Sequence, residues 1–160
     1  LKEWMKTEKR KTNKPMNFFG GKSQVRHFPK GVVGIISPWN LPFGLTVAPL
    51  TSALAAGNRA LLKPSEFVPE TAALFAEIVP KYFSQDEVAV VTGGSDISQQ
   101  FAELPLDHIL FTGSTNVGAK VMQSASKNLV PVTLELGGKS PVIIGRSAKI
   151  DIAGTRLAFG

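Results

Sequence analysis

Cysteine is absent from the 160-residue chain, and histidine occurs only twice. The lack of cysteine excludes disulfide bonds, cysteine-ligated metal sites and a thiol nucleophile within these residues. His27 and His108 are far apart in the sequence, so they lack the spacing of a metal-ligand pair. We therefore expect the chain to bind no metal.

Long apolar runs are also missing, and no stretch reaches the length of a membrane-spanning helix. The first residues are charged and lack the apolar core of a signal peptide. The chain has no initiator methionine, and residues 151–160 read as a helix cut off midway, with Asp151 as its N-cap. A hydrophobic content of 43% is typical of a folded globular domain. We therefore expect a globular, cytoplasmic piece of a longer protein.

The positive charge is concentrated near the start of the chain. Residues 1–30 contain nine lysines and arginines but only two acidic residues, whereas the remainder has nine basic and ten acidic residues. A basic arm can bind nucleic acid or a membrane surface. Here the charges are scattered among apolar residues without a recognition motif. We therefore interpret residues 1–30 as a helix end (1–14) and an irregular or hairpin-like arm that binds no nucleic acid, separate from a domain at residues 31–160.

From residue 31 onward, apolar strands alternate with helices. The strands are predicted at residues 31–37, 59–63, 87–91, 108–111 and 131–136. Helices are predicted at residues 43–56, 69–83 and 95–104, with a fourth that ends near residue 128. Pro49 is expected to kink the first helix or divide it into two pieces, and Pro69 to open the second. This alternation predicts an α/β fold with an open parallel sheet and helices on both faces.

Residues 108–118 read as a strand, a glycine turn and the start of a helix. Ser114 and Thr115 are favourable N-cap residues. A turn of this kind presents free backbone N–H groups and the positive end of a helix dipole, which makes it a candidate phosphate site. On these residues alone an ordinary strand–helix turn is the better interpretation, because glycine turns are common in α/β folds. Neither the nucleoside-triphosphate loop nor the G-x-G-x-x-G fingerprint is present, so a dinucleotide site here would be a variant one.

Polar residues or glycines follow the end of each predicted strand. These segments are residues 37–40, 63–66, 92–94, 113–115 and 135–138. The carboxyl ends of parallel strands lie along one edge of a sheet, and α/β proteins bind their ligands there. The sequence therefore predicts a single ligand site at this edge.

Four motifs stand in a fixed order at these strand ends: Pro38-Trp39-Asn40, Lys63-Pro64-Ser65-Glu66, Phe111-Thr112-Gly113-Ser114-Thr115 with Gly118, and Glu135-Leu136-Gly137-Gly138-Lys139. In this order they resemble the aldehyde dehydrogenase superfamily over residues 31–160. Residues 31–43 look most like the coniferyl aldehyde dehydrogenase subgroup, and are also similar to related fatty and aromatic aldehyde enzymes. The resemblance implies a variant Rossmann-like NAD(P)-binding domain. It also implies an oligomeric enzyme, a homodimer or tetramer, that oxidises an aromatic or aliphatic aldehyde to the acid.

Two catalytic roles follow from the resemblance. Asn40 would donate its side-chain amide to the oxyanion, and Glu135 would be the general base that activates water. On the residues alone, Asn40 reads as a turn residue and Glu135 as a surface or capping residue. In the family a cysteine thiolate attacks the aldehyde, hydride passes to NAD(P)⁺, and water hydrolyses the thioester. Because that cysteine follows the Glu135 segment in family members, we expect this chain alone to be inactive.

The resemblance also implies the cofactor contacts. Lys63 and Glu66 would bind ribose hydroxyls, and the turn from Gly113 to Gly118 would hold the pyrophosphate with the Ser114 hydroxyl on a phosphate oxygen. Glu66 would repel a 2′-phosphate, which favours NAD over NADP. The full set of expected cofactor-binding residues is Ile36, Trp39, Lys63, Glu66, Gly93, Gly113, Ser114, Thr115, Asn116, Val117, Gly118 and Leu136.

Two alternative functions remain open at this point. The first is a CoA-dependent or acyl-phosphate reductase of the same superfamily, against which Glu135 argues, because a carboxylate base serves attack by water. The second is a non-catalytic nucleotide-binding or nucleic-acid-binding module, suggested by the missing cysteine and the basic arm. Binding to nucleic acid would weaken steeply as salt rises.

Overall fold

The structure, a computed structural model, describes residue 3 and residues 5–159. Its first elements are strand β1 (Glu8–Arg10), helix α1 (Lys14–Phe18) and strand β2 (Ser23–Val25), and the two strands pair antiparallel. The predicted helix end at residues 1–14 is wrong where the structure describes it, because Glu8–Arg10 pair with β2 instead. Leu1, Lys2 and Trp4 lie outside the described residues. Local composition allowed a helix here, and backbone pairing with a distant segment decided otherwise.

The main sheet has five parallel strands. They are β3 (Val32–Ile36), β4 (Arg59–Lys63), β5 (Val88–Val90), β6 (His108–Gly113) and β7 (Val132–Leu136), and their order across the sheet is β5-β4-β3-β6-β7. The helices are α2 (Gly44–Ala55), α3 (Pro69–Tyr82), α4 (Ser95–Ala102), α5 (Thr115–Ser126) and α6 (Ile150–Phe159). The predicted open parallel α/β sheet is confirmed.

Helices cover both faces of this sheet, so its central strands are apolar on both sides. On one face, Ile35 and Leu62 form a core with residues of α2 and α3, including Leu50 and Phe75. On the other face, residues of α4 and α5 pack against Ile36, Ile109 and Phe111 in a second core. No helix among residues 3 and 5–159 is both long and apolar enough to cross a membrane.

The chain reverses its direction across the sheet between β3 and β6. From β3 it runs outward through β4 to β5, and it then returns to the other side of β3 and continues through β6 to β7. The loops that leave the carboxyl ends of β3 and β6 therefore diverge to opposite faces. This is the position where open α/β sheets form a ligand crevice.

Two local predictions need correction. Strand β6 extends two residues beyond the predicted end, because Thr112 and Gly113 continue the pairing with Glu135 and Leu136 on β7. Helix α6 begins at Ile150, so Asp151 lies in its first turn and is not its N-cap. A carboxylate in the first turn still interacts favourably with the helix dipole. Pro69 opens α3 as predicted.

Candidate functional site

A cavity of about 750 Å³ lies at the reversal point of the sheet. Its walls come from the carboxyl ends of β3, β4 and β6 and from one face each of α4 and α5. It is thus the crevice that the strand order predicts. Among the residues that the structure describes, no group of three histidine, aspartate or glutamate side chains could hold a metal ion.

Seven of the predicted cofactor residues line this cavity: Ile36, Trp39, Lys63, Glu66, Gly113, Ser114 and Val117. They come from three separate strand ends and from the first turn of α5. The structure therefore brings together residues from distant parts of the chain, as the argument from strand ends required. The other seven predicted site residues, Asn40, Gly93, Thr115, Asn116, Gly118, Glu135 and Leu136, are not among the lining residues.

Lys63 is the most deeply buried charged group of the site. Its side chain is 1% exposed, and Nζ donates a hydrogen bond of 2.9 Å to the carbonyl of Pro64. The nearest Glu66 carboxylate oxygen is 3.9 Å from Nζ, beyond hydrogen-bond distance. An ammonium group has three N–H donors. Within the described part of the chain Lys63 uses one of them, so two remain for a ligand in the cavity.

Two opposing effects act on the charge of Lys63. Burial lowers the pKa of its ammonium from the ordinary value of 10.5, and the carboxylates of Glu66 and Asp96 raise it by less than burial lowers it. Both carboxylates also line the cavity. A buried cation flanked by two carboxylates can donate hydrogen bonds to hydroxyl groups while the carboxylates accept from them.

The amino end of α5 faces the same cavity. Ser114 is its N-cap, and its Oγ accepts a hydrogen bond of 3.4 Å from the N–H of Val117. As an acceptor in the cap, the hydroxyl keeps its own proton available for an anion. The N–H groups of the first turn and the helix dipole favour a negative charge at this end. Thr115 is the first helical residue, so only Ser114 of the two predicted caps performs that role.

Two glycines of the turn lie against neighbouring side chains. A Cβ atom at Gly113 would lie 2.6 Å from the ring of Phe111, which is buried in the second core. A Cβ atom at Gly118 would lie 2.8 Å from Cδ2 of Leu136. Gly118 and Leu136, both expected to contact the cofactor, thus contact each other and join α5 to β7. Outside the cavity, Thr115 and Asn116 are exposed on the first turn of α5.

Gly93 lies beyond the end of β5 and has a φ of +137°, a conformation that other residues rarely adopt. A Cβ atom there would lie 2.7 Å from Cγ1 of Ile97 on α4. In the part of the chain that the structure describes, Gly93 allows a tight turn into α4. Gly93 thereby positions the face of α4 that lines the cavity.

The two predicted catalytic residues are exposed and lie outside the cavity. Asn40 is in the loop between β3 and α2, and its amide makes no hydrogen bond to the part of the chain that the structure describes. Glu135 is paired in register with Thr112, which does line the cavity. Side chains alternate along a strand, so Glu135 points away from Leu134 and Leu136, on the face opposite to α5.

Apart from Val117, the two helix faces that line the site were not predicted from the sequence. Ser95, Ser98, Gln99 and Ala102 of α4 line the cavity at i, i+3, i+4 and i+7, and Val117, Lys120, Val121 and Ser124 of α5 do so with the same spacing. Asp96 and Gln123 complete these walls. The helical repeat was available as a signal. The repeat did not indicate a site, because polar residues on one face of a helix normally indicate a solvent-exposed face.

Comparison with known proteins agrees with this geometry. The aldehyde dehydrogenase family model matches residues 2–160. A probable coniferyl aldehyde dehydrogenase of Caulobacter vibrioides is 53% identical over 161 residues, which cover 100% of this chain and 33% of that protein. The chain therefore spans about a third of the length of such curated relatives.

Solved structures show the same likeness. The substrate-bound state of Staphylococcus aureus AldH superposes with a TM-score of 0.88 and 45% identity, over 99% of this chain and 34% of that one. A Mycobacterium tuberculosis aldehyde dehydrogenase complexed with NAD⁺ superposes with a TM-score of 0.76 and 38% identity, over 92% of this chain and 30% of that one.

Proposed function

Because the chain belongs to the aldehyde dehydrogenase family, we propose that it is the cofactor-binding part of an NAD(P)-dependent enzyme that oxidises an aldehyde to the carboxylic acid. The observation that carries the proposal is the cavity at the sheet reversal, in which buried Lys63 keeps two N–H donors beside Glu66. A dinucleotide offers the ribose hydroxyls and phosphates that such a site can bind.

The residues present fit a dinucleotide. Lys63 and Glu66 would hold the ribose hydroxyls, and the capped amino end of α5 with Ser114 would hold the pyrophosphate. Ile36 and Val117 would provide apolar walls. We propose NAD as the preferred cofactor, because Glu66 and Asp96 place two carboxylates where a 2′-phosphate would add further negative charge. When bound, the nicotinamide would accept the hydride of the aldehyde.

Asn40 and Glu135 have separate proposed roles in the chemistry. Asn40, with a side-chain amide that makes no hydrogen bond to the described part of the chain, would donate to the oxyanion that develops on the aldehyde oxygen. Glu135 would accept a proton from the water that releases the acid. The nucleophile would come from a part of the longer protein outside these residues, because this chain contains no cysteine.

We propose coniferyl aldehyde or a related aromatic or aliphatic aldehyde as the substrate, on the basis of the Caulobacter vibrioides relative. Assembly as a homodimer or tetramer and a cytoplasmic location stay predictions from the resemblance. The test is to supply the longer protein with coniferyl aldehyde and NAD⁺, and to identify the product. Free carboxylic acid is the expected product. An acyl-CoA or acyl phosphate, formed only with CoA or phosphate present, would favour the reductase alternative.

The 160-residue chain is the matched control for that experiment. It should turn over no aldehyde, because it lacks a nucleophilic thiol. Turnover by this chain alone would contradict the covalent mechanism.

A further inference from the structure

Two buried hydroxyl groups bracket the loop that carries Asn40. Ser37 follows β3 and is 3% exposed, and Thr46, in the first turn of α2, is fully buried. Their Oγ atoms are 2.6 Å apart, and Thr46 Oγ1 also lies 2.6 Å from the carbonyl oxygen of Pro42. The three groups form a continuous hydrogen-bond chain that links the two ends of the loop of residues 38–43.

The direction of these hydrogen bonds follows from the donors available. The carbonyl of Pro42 can only accept, so the single hydroxyl proton of Thr46 must point to it. Ser37 must then donate to Thr46. In such a hydrogen-bond chain each bond polarises the next, so the three groups are held more rigidly than by two isolated bonds.

The backbone around Pro42 leaves its carbonyl to this side chain. The N–H of Thr46, which would reach Pro42 in a regular helical turn, bonds to the carbonyl of Phe43 at 3.3 Å. The backbone N–H of Ser37 donates to the carbonyl of Lys63 at 3.2 Å. The hydroxyl chain therefore connects the loop to the strand end that carries the buried cation of the cavity.

The loop needs such an anchor because the side chains around Asn40 are exposed, and only Phe43 at the end of the loop stacks on the core, against the ring of Phe75. Trp39 is 61% exposed and Leu41 is 62% exposed, and Asn40 between them is exposed as well. A donor that stabilises a developing oxyanion is effective only when it is held in place before the reaction.

We propose that Thr46 is a positioning residue, and that its hydroxyl, bonded between Ser37 and the Pro42 carbonyl, holds Asn40 in place for the oxyanion. The role rests on the proposed function of Asn40. It would be lost with the hydroxyl and kept by serine, which retains a hydroxyl at the same atom.

The kinetic test compares Thr46→Val, Thr46→Ser and Ser37→Ala in the longer enzyme. Loss of one oxyanion donor costs about 10²–10³-fold in kcat, and a misplacement costs up to about 10²-fold. We expect Thr46→Val and Ser37→Ala to lower kcat by about 10- to 100-fold, and Thr46→Ser to stay close to the unaltered enzyme. The dissociation constant of NAD⁺ should be unchanged in Thr46→Val, because Thr46 does not line the cofactor cavity, whereas Ser37 does. Thr51→Val is the matched control. It removes a hydroxyl bond of 2.8 Å to the Val47 carbonyl on the exposed part of the same helix.

A double-variant comparison asks whether Thr46 acts through Asn40. In an Asn40→Ala background, Thr46→Val should cause no further loss of kcat. An equal further loss, or a Thr46→Val enzyme with unaltered kcat while Asn40→Ala is impaired, would overturn the positioning role. If Asn40→Ala alone left kcat unchanged, or if the unaltered enzyme oxidised no aldehyde, the proposed function would be contradicted.

A second measurement reports the motion of the loop itself and requires no enzyme activity. It uses the 160-residue chain, which has two tryptophans, so Trp4→Phe leaves Trp39 as the only one. In that background, time-resolved fluorescence anisotropy of Trp39 should show a larger fast component for Thr46→Val than for Thr46→Ser or Thr51→Val. Identical decays for Thr46→Val and Thr51→Val would overturn the proposal even if kcat fell, because the loop would then be equally ordered in both.

Discussion

The ammonium of Lys63 lies 3.9 Å from the carboxylate of Glu66 and donates its hydrogen bond to the neighbouring Pro64 carbonyl. The two charges are thus close enough to attract each other, but no hydrogen bond connects them. A direct ion pair would use up donors and acceptors on both sides. The separation leaves the ammonium and the carboxylate available to the same ligand.

Replacing Lys63 should weaken cofactor binding. Lys63→Met keeps a long apolar stem in the core and removes the donors. Because hydrogen bonds to a charged group contribute about 1.5–3 kcal/mol, the dissociation constant of NAD⁺ should rise roughly 10- to 100-fold in calorimetric titration of the longer protein. Lys81→Met, at an exposed lysine of α3 paired with Glu77, should bind as before. Unchanged affinity in Lys63→Met would contradict the cofactor assignment.

Replacing Glu66 should alter the cofactor preference. Two unit charges about 4 Å apart interact by about 1 kcal/mol even in water, so Glu66→Gln should raise the kcat/KM ratio of NADP⁺ to NAD⁺ by roughly fivefold or more. Glu70→Gln, at the exposed start of α3, is the control. A tenfold or greater preference for NADP⁺ in the unaltered enzyme would show that the proposed preference is wrong.

Replacing Glu135 should separate the two halves of the reaction. Glu135→Gln preserves size and removes proton acceptance, so the longer enzyme should release a burst of about one NADH per active site and then turn over about 10²–10⁴-fold more slowly. Stopped-flow absorbance measures both phases. If Glu135 also deprotonates the nucleophile, the burst itself would slow, and raising the pH should restore it before turnover. A steady rate close to normal would mean that Glu135 is a structural strand-end residue.

Adding a methyl group at Gly113 should destabilise the fold. Its Cβ would lie 2.6 Å from the buried ring of Phe111, so the ring must shift, and overpacking of this kind costs about 1–3 kcal/mol. Urea unfolding should show this loss for Gly113→Ala. Gly137→Ala, where no atom lies within 4 Å of the added Cβ, should unfold close to the unaltered chain. In a Phe111→Leu background the penalty of Gly113→Ala should shrink, and an undiminished penalty would place its cause elsewhere.

His108 should make stability depend on pH just below neutrality. Its Nε2 lies 2.9 Å from Thr133 Oγ1, and its buried Nδ1 has no hydrogen-bond partner in the described part of the chain. Burial, and then the charge of Lys30, lower the pKa of His108 below its ordinary value of 6.5. Below pH 6.5 the unfolded chain therefore binds more protons than the folded one, so the free energy of unfolding falls as pH falls.

Urea unfolding between pH 7.5 and 5.5 measures this dependence. His108→Gln should flatten it, with the two proteins differing by a constant amount above pH 7. The carboxylates with lowered pKa, such as Glu87 and Glu103, titrate below their ordinary value of 4.5 and stay outside this window. Parallel curves for the two proteins would show that another group is responsible.

The fold class and the edge of the sheet at which the cavity lies could be predicted because both depend on short-range patterns. Alternating apolar strands and helices specify a parallel sheet, and polar strand ends specify its ligand edge. The N-terminal strand β1 could not be predicted, since its three charged residues, Glu8 to Arg10, have no strand pattern of their own. Its pairing with β2 depends on contacts between residues at least 11 positions apart in the sequence, such as the bond from Ser23 N–H to Thr12 Oγ1.

By itself the sequence determined which polar residues stand at the strand ends: Lys63 and Glu66 at the end of one strand, Ser114 at the end of another. Only the tertiary structure decided how far apart they lie and what each contacts. It separated Lys63 from Glu66, turned Glu135 to the face opposite α5, and placed Gly118 against Leu136. The physical reason is that a motif records which residues are adjacent in the chain. The distance and direction between side chains depend instead on strand register, on the alternation of side chains across a sheet, and on the packing of helices that are distant in sequence.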